Sequence, residues 1–270
     1  MKLRNLLLVY SKPATKEEKS ALNTVVTILK KYKINYNKSD RENLNGKLFQ
    51  NKDLIIVIGG DGTFLKASHF VFDKVPLFGV NSHPRYKEGF FMVAVKKDFE
   101  KNLKRIMKNN FEMKKIQRLE AYIGNKKIQE PALNEYYVAS EKQHHTARYF
   151  LNVRGKKEKQ KSSGILISTA AGSNAWIKSA GGKVLPLNSK KFEYLAREPY
   201  CGRVSAKCSL VNGILNKNEK LEIVFESSNG VLIADSLGKE HKFRAGQKVM
   251  VKISKKPLYV VSFNGGNSRI

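Results

Sequence analysis

The sequence predicts an α/β protein in two parts. An N-terminal doubly wound α/β domain covers residues 1–95, and a C-terminal β-rich domain covers residues 96–270. Three observations predict this. The first third alternates short apolar runs with helical patterns. The run Asp53 to Ile58 is β-branched without polar alternation, as in a parallel strand covered on both faces, and it ends abruptly in Gly59-Gly60-Asp61-Gly62-Thr63. After Lys96 the texture changes to short stretches rich in Tyr, Ile, Val and Phe between Gly, Asn and Lys turns.

Taken in order, Asn5 to Tyr10 is a compact apolar run and predicts a buried first strand. Pro13 and Thr15 mark a helix start, with Glu17 and Glu18 in its first turns. Leu22, Val25, Val26 and Leu29 then recur at helical spacing and form one face. Ile34 to Tyr36 reads as a second short strand and Asp53 to Ile58 as a third. Phe64 to Phe72 reads as a helix, Leu77 to Val80 as a strand, and residues 98–109 as a further helix. Beyond these, EAYIGNKKI, NEYYVAS, ARYFLNVRG, GILISTA, KCSLVNGIL, KLEIVFES, GVLIADS and PLYVVSF read as strands of the second domain. The chain shows no repeats and no Gly/Ser linker.

Composition narrows the function classes. Apolar residues make up 41% of the chain, enough for a real core. Lys and Arg number 51 against 23 Asp and Glu, a net charge of +28. Such a chain attracts polyanions. Its lysines are spread along the whole length, as on a solvated surface, and no zinc-finger spacing, arginine-rich helix or RNP-like aromatic pattern accompanies them. No specific nucleic-acid partner is therefore expected. No apolar run approaches the roughly 20 residues that span a bilayer, and Leu6 to Tyr10 is too short for a signal-peptide core. A cytoplasmic protein is expected. Cys201 and Cys208 are too few for a disulfide scaffold or a four-cysteine zinc site and read as ordinary thiols. His69, His83 and His241 lack metal-ligand spacing.

Three segments carry chemistry. In IIVIGGDGTFL, residues 55–65, a buried strand enters a glycine-rich turn and then a helix. Glycines let the backbone approach a ligand, and the N–H groups of such a turn suit phosphate. Gly59, Gly60, Gly62 and Thr63 are the candidate phosphate residues. Asp61, beside them at the carboxyl end of a strand, suits a general base for a hydroxyl that attacks phosphorus, or a metal anchor. A tight turn with Asp61 as helix N-cap would use the same residues. The segment is neither a P-loop nor a dinucleotide GxGxxG turn. In Leu133-Asn134-Glu135-Tyr136 a side-chain amide adjoins a carboxylate, a pair able to bind sugar hydroxyls or a base edge. A polar turn before a strand would look the same. In Ser162 to Trp176 an apolar strand ends in small and hydroxyl residues, followed by Ser179-Ala180-Gly181-Gly182. Small residues leave room for a planar or sugar ligand, or for a close-packed corner. Trp176 reads as core.

In this order the three segments resemble the NAD kinase family, through GGDGT at 59–63, NE at 134–135 and STAAGSNAW…SAGG at 168–182. GGDGT is shared with diacylglycerol and sphingosine kinases; its combination with the other two is more specific. The resemblance implies an N-terminal α/β domain, a C-terminal β-rich domain and a last segment returning to the first. It implies phosphorylation of the adenosine 2′-hydroxyl of NAD or NADH by ATP, with Mg²⁺ or another divalent metal, and a homo-oligomer (dimer or tetramer) with NAD sites near subunit contacts. Asp61 matches the family's general base and Gly62 adjoins it in the nucleotide site. Asn134 and Glu135 match the nucleotide-binding pair, and Asn174, Ala175 and Ser179 fall in the stretch that contacts NAD. His145, ten residues after Glu135, falls where some members place a ligand-contacting residue.

The departures carry information too. The usual R-x-D-G reads Lys161-Ser162-Ser163-Gly164, so Ser163 replaces an acidic residue. TPTGST reads Thr169-Ala170-Ala171-Gly172-Ser173-Asn174, and GVN-x-G-x-LGF reads GVNSHPRYKEGFF, Gly79 to Phe91. These features resemble the plant-type NADH kinase branch. Loss of a carboxylate near the nicotinamide removes a charge that favours the oxidised ring, so NADH is expected as a substrate beside NAD. Inorganic polyphosphate as donor would suit the +28 charge. The rival readings are a lipid kinase sharing the GGDGT loop and a catalytically idle nucleic-acid-binding protein.

Overall fold

The structure, a computed structural model, describes residues 1–142, 144–202, 208–226 and 228–263. The chain divides into two units, Met1–Lys115 with the segment from Leu258, and Ile116–Pro257.

The first unit runs β1 (Leu6–Tyr10), α1 (Lys16–Lys31), β2 (Tyr36–Asp40), β3 (Leu54–Gly59), α2 (Asp61–Ser68), β4 (Leu77–Asn81), β5 (Ala94–Val95), α3 (Phe99–Met107) and β6 (Glu112–Ile116). The sheet order is β2-β1-β3-β4, then the strand Leu258–Ser262, then β6, with β5 also paired to β4. β1, β2, β3 and β4 are parallel, and Val260 pairs with Leu77. β1 and β3 are buried along most of their length, which explains their lack of polar alternation. Thr15 caps α1 in a capping box with Glu18. The buried face of α1 is Ala21, Val25, Ile28 and Leu29, so Leu22 and Val26 flank it and do not centre it.

Two sequence expectations shift here. The second strand falls at Tyr36–Asp40, after Ile34, because it lies at the end of the sheet and pairs through backbone while its side chains stay largely in solvent. The unit boundary falls at residue 115, not 96. α3 buries Phe99, Leu103 and Ile106 in the core of the first unit, together with Val261 and Phe263 from the far end of the chain.

The second unit holds β7 (Leu119–Ile123), β8 (Lys126–Lys127), β9 (Glu135–Ser140), β10 (Ala147–Val153), β11 (Lys156–Ser162), β12 (Gly164–Ser168), α4 (Trp176–Ser179), β13 (Lys191–Arg197), β14 (Asn212–Asn216), β15 (Lys220–Phe225), β16 (Gly230–Ala234), β17 (His241–Phe243) and β18 (Lys248–Ile253). Among the described residues these form two sheets, β11-β10-β15-β18-β7-β8 and β14-β13-β12-β9-β16-β17. Alternate residues of β10, β15 and β18 turn inward to one core shared with β9 and β12. β9 and β12 are buried on both faces, since Tyr137, Ala139 and Leu166 pack on the other side with Ile177 of α4. Trp176 is half-buried against this cluster, its ring 4.9 Å from that of Tyr137.

Cys201 and Cys208 form a disulfide, with Cα atoms 5.8 Å apart. This corrects the expectation of ordinary thiols. Spacing in sequence does not report that the chain brings both residues back to within bridging distance.

Candidate active site

In the first unit a cavity of about 500 Å³ opens at the carboxyl ends of β1 and β3, lined among others by Lys12, Glu18, Arg41, Gly60, Asp61 and Lys87. The strand order reverses between β1 and β3, and this is where open α/β sheets bind ligands. Gly59 closes β3 in the interior; a Cβ there would lie 2.5 Å from Thr63 Oγ1, so the glycine permits strand and helix to approach. Gly60 is the N-cap of α2 and offers no side chain. Asp61 is therefore the first residue of the helix and not its cap. Its two carboxylate oxygens accept the backbone N–H groups of Phe90 and Phe91, each at 2.9 Å. Phe91 stacks on Phe64 of α2, centroids 5.0 Å apart, and so holds this loop against the helix. Gly62 is half-exposed beside Asp61, and Thr63 is buried.

Asn81, the last residue of β4, shapes the same loop. Its Oδ1 accepts His83 N–H and its Nδ2 donates to the Lys87 carbonyl, both at 3.0 Å. Gly89 adopts φ +65°, and a Cβ there would meet Asn81 Nδ2 at 2.4 Å. Lys87 pairs with Glu18 at 2.5 Å. The Lys87 ammonium beside Glu18 holds that carboxyl below the usual range, against the effect of burial.

The second unit joins the other two motifs. Glu135 opens β9 opposite Ser168, the last residue of β12. Thr169 N–H donates to the Asn134 carbonyl at 2.8 Å, and its hydroxyl donates to Leu133 O at 2.6 Å while accepting Gly172 N–H at 3.0 Å. A Cβ on Gly172 would lie 2.1 Å from Asn134 O, so only glycine allows the two turns to meet. Asn134, Glu135 and Thr169 thus form one constellation. Asn174 and Ser179 are exposed and Ala175 half-buried on the segment that follows.

Three remaining candidates sit elsewhere. His145 lies in the exposed turn from β9 to β10, its ring edge-on to His144. Lys161 is on β11, its ammonium 5.8 Å from the Tyr200 ring centroid. Ser163 links β11 to β12, its N–H bonded to Arg197 O at 2.9 Å.

Sequence reasoning missed Asp235. Its carboxylate accepts three successive backbone N–H groups, those of Leu133, Asn134 and Glu135, at 2.9, 2.7 and 3.1 Å. Its charge also acts on the fully buried Arg118. Burial, reinforced by Asp235, pushes the Glu135 carboxyl up to about 8. Glu135 Oε2 is buried without a hydrogen-bond partner. Glu193, opposite Ser168 on β13, accepts Lys183 N–H through both oxygens at 3.0 Å and so orients the end of the SAGG turn. No local motif marks Asp235 or Glu193, because Asp235 meets partners about 100 residues earlier in the chain and Glu193 meets Lys183 ten residues back, in the loop before β13.

A carboxylate on a glycine turn at the carboxyl end of an inner parallel strand, followed in the chain by two packed antiparallel sheets, defines a two-part fold of an α/β unit and a β-sandwich unit. The model of the ATP-NAD kinase N-terminal domain matches residues 4–111, and that of the ATP-NAD kinase C-terminal domain matches residues 133–263. The NAD kinase of Clostridium tetani is 32% identical over 209 residues, covering 76% of this chain and 72% of that protein. The NADH kinase of Arabidopsis thaliana is 27% identical over 286 residues, covering 98% and 89%. The solved structure of an NAD kinase from Archaeoglobus fulgidus in complex with ATP shares the fold at TM-score 0.78, with 22% identity over 98% of this chain and 95% of that one. The chain belongs to the NAD kinase family. No helix among the described residues is long and apolar enough to cross a membrane.

Proposed function

We propose that this protein transfers a phosphoryl group from ATP to the 2′-hydroxyl of the adenosine ribose of NAD or NADH, with Asp61 as general base. The observation that carries this is the setting of Asp61, which lines the cavity at the ends of β1 and β3 with its carboxylate clamped by two N–H groups. Each oxygen keeps a lone pair beyond the one that the N–H occupies, so the clamped group can still accept a proton. The glycine turn and the first turn of α2 favour donor phosphates. Phosphoryl transfer then depends on positioning and charge neutralisation.

The dinucleotide contacts belong to the second unit, where Asn134 and Glu135 present an amide and a carboxyl. Lys161, Ser163, Thr169, Asn174, Ala175, Ser179 and His145 are assigned with them from the family pattern. Thr169 already spends its hydroxyl on Leu133 O and Gly172 N–H, and its part is to hold the turn through these and through its own N–H on the Asn134 carbonyl. Among the described residues no group of three or more His, Cys, Asp or Glu side chains could hold a metal. A Mg²⁺ carried by the donor's phosphates and water needs no such group, and Asp61 has lone pairs to offer it. It would offset phosphate charge. Inorganic polyphosphate is the alternative donor.

Ser163 in place of an acidic residue supports use of NADH beside NAD, and the likeness to a plant NADH kinase supports the same reading. A lipid kinase would leave the second-unit constellation without a role. A homo-oligomer, dimer or tetramer, belongs to the same proposal and is read by light scattering. The test is one assay with ATP, Mg²⁺ and NAD, NADH or diacylglycerol. NADP or NADPH should accumulate. A phosphorylated lipid, or no product with either dinucleotide, would overturn the reading.

A further inference from the structure

Residues 82–88 depart from the family pattern, and they bring a lysine to the cavity that holds Asp61. The backbone of Lys87 is fixed at both ends: its N–H donates to His83 O and its carbonyl accepts Asn81 Nδ2, each at 3.0 Å. Its stem lies over the glycine turn, where a Cβ on Gly60 would come within 3.0 Å of Lys87 Cδ. Its ammonium meets Glu18 Oε1 at 2.5 Å and Ser82 Oγ at 3.1 Å. Glu18 cannot readily follow a moving lysine, because its other oxygen accepts Ala14 and Thr15 N–H at the start of α1.

An ammonium has three donors. Glu18 and Ser82 use two, which leaves one for a ligand oxygen. Glu18 offsets a single charge, whereas a phosphate chain carries several. We propose that Lys87 binds the phosphate chain of the phosphoryl donor, with Glu18 and Ser82 holding its ammonium over the glycine turn. The inference rests on the phosphotransfer reading above and adds the side chain that grips the donor. A nucleoside triphosphate and inorganic polyphosphate present the same chemistry to it.

The test is steady-state kinetics of wild type, Lys87→Met, Lys87→Arg and Glu18→Gln. ATP or polyphosphate is varied with Mg²⁺ at saturating NAD, then NAD is varied at saturating donor. Lys87→Met should raise the donor KM about ten- to a hundredfold, as loss of a charge-assisted contact does, and leave the NAD KM within about twofold. Lys87→Arg should restore most of the donor affinity. Glu18→Gln keeps Lys87 but removes its counter-charge, and should lower the donor KM. A rise with ATP alone assigns the nucleotide's phosphates; a rise with polyphosphate alone assigns the inorganic chain. An active wild type whose donor KM moves in neither Lys87→Met nor Glu18→Gln overturns the role of Lys87. A wild type inactive with both dinucleotides overturns the phosphotransfer reading itself.

Discussion

Asp61 turns its carboxylate onto the backbone N–H of Phe90, 2.9 Å away, and not onto its own helix. With Phe91 on the second oxygen, the side chain is aimed by a loop 29 and 30 residues further on. An asparagine there keeps one acceptor oxygen and faces the other N–H with its amide NH2, a second donor. Asp61→Asn should therefore fold, with a stability loss of about 1–3 kcal/mol. Its kcat should fall about 10²- to 10⁴-fold, the usual worth of a general base. Circular dichroism and NADP formation read the two effects. A folded variant with unchanged kcat would remove Asp61 from the chemistry.

Asp235 anchors the turn of Asn134 and Glu135 through three N–H groups and lends its charge to Arg118. Asp235→Ala should cost about 3–5 kcal/mol in urea unfolding, because it leaves a buried guanidinium without its counter-charge. Asp235→Asn keeps part of the acceptor set and should cost less. Equal losses in the two variants would show that the loss comes from the charge and that the acceptor kept by asparagine adds nothing.

Glu135 makes stability depend on pH. Its carboxyl sits at about 8 in the folded chain against an ordinary 4.5. The folded state therefore holds the proton more tightly. The stability this confers is complete below about pH 4.5 and is lost as pH rises through about 8. Glu135→Gln is neutral throughout and escapes the loss. Its stability should rise relative to wild type between about pH 5 and pH 8.5, by on the order of a few kcal/mol, read as a melting temperature that gains on wild type as pH rises. A wild type that gains on the variant as pH rises would contradict this setting of Glu135.

The Cys201–Cys208 bridge predicts a thiol count. Protein purified without reductant should take up no alkylating reagent before reduction and two equivalents after it, read by intact mass. Two reactive thiols in unreduced protein would place both side chains in the dithiol state. That is the state a reducing cytoplasm would favour.

Local pattern alone was enough for much of this protein. The non-alternating run of β3, the start of α1 at Thr15 and the glycine turn at 59–63 are short-range features, and each appears where the residues predict it. The pairing of the NE turn with the STAAGSN corner was legible as two motifs, though not as one constellation. Other features depended on residues far apart in the chain. α3 belongs to the first unit because its apolar face meets Phe263 and Val261. Asp61 is oriented by Phe90, Asn134 by Asp235, and Lys87 by Asn81 and Glu18. A side chain's type and its neighbours in sequence set the helix, strand or turn it enters. Which hydrogen-bond donor or counter-charge reaches it depends on the folded path of the whole chain, and that path aims the carboxylates and the lysine of the candidate site.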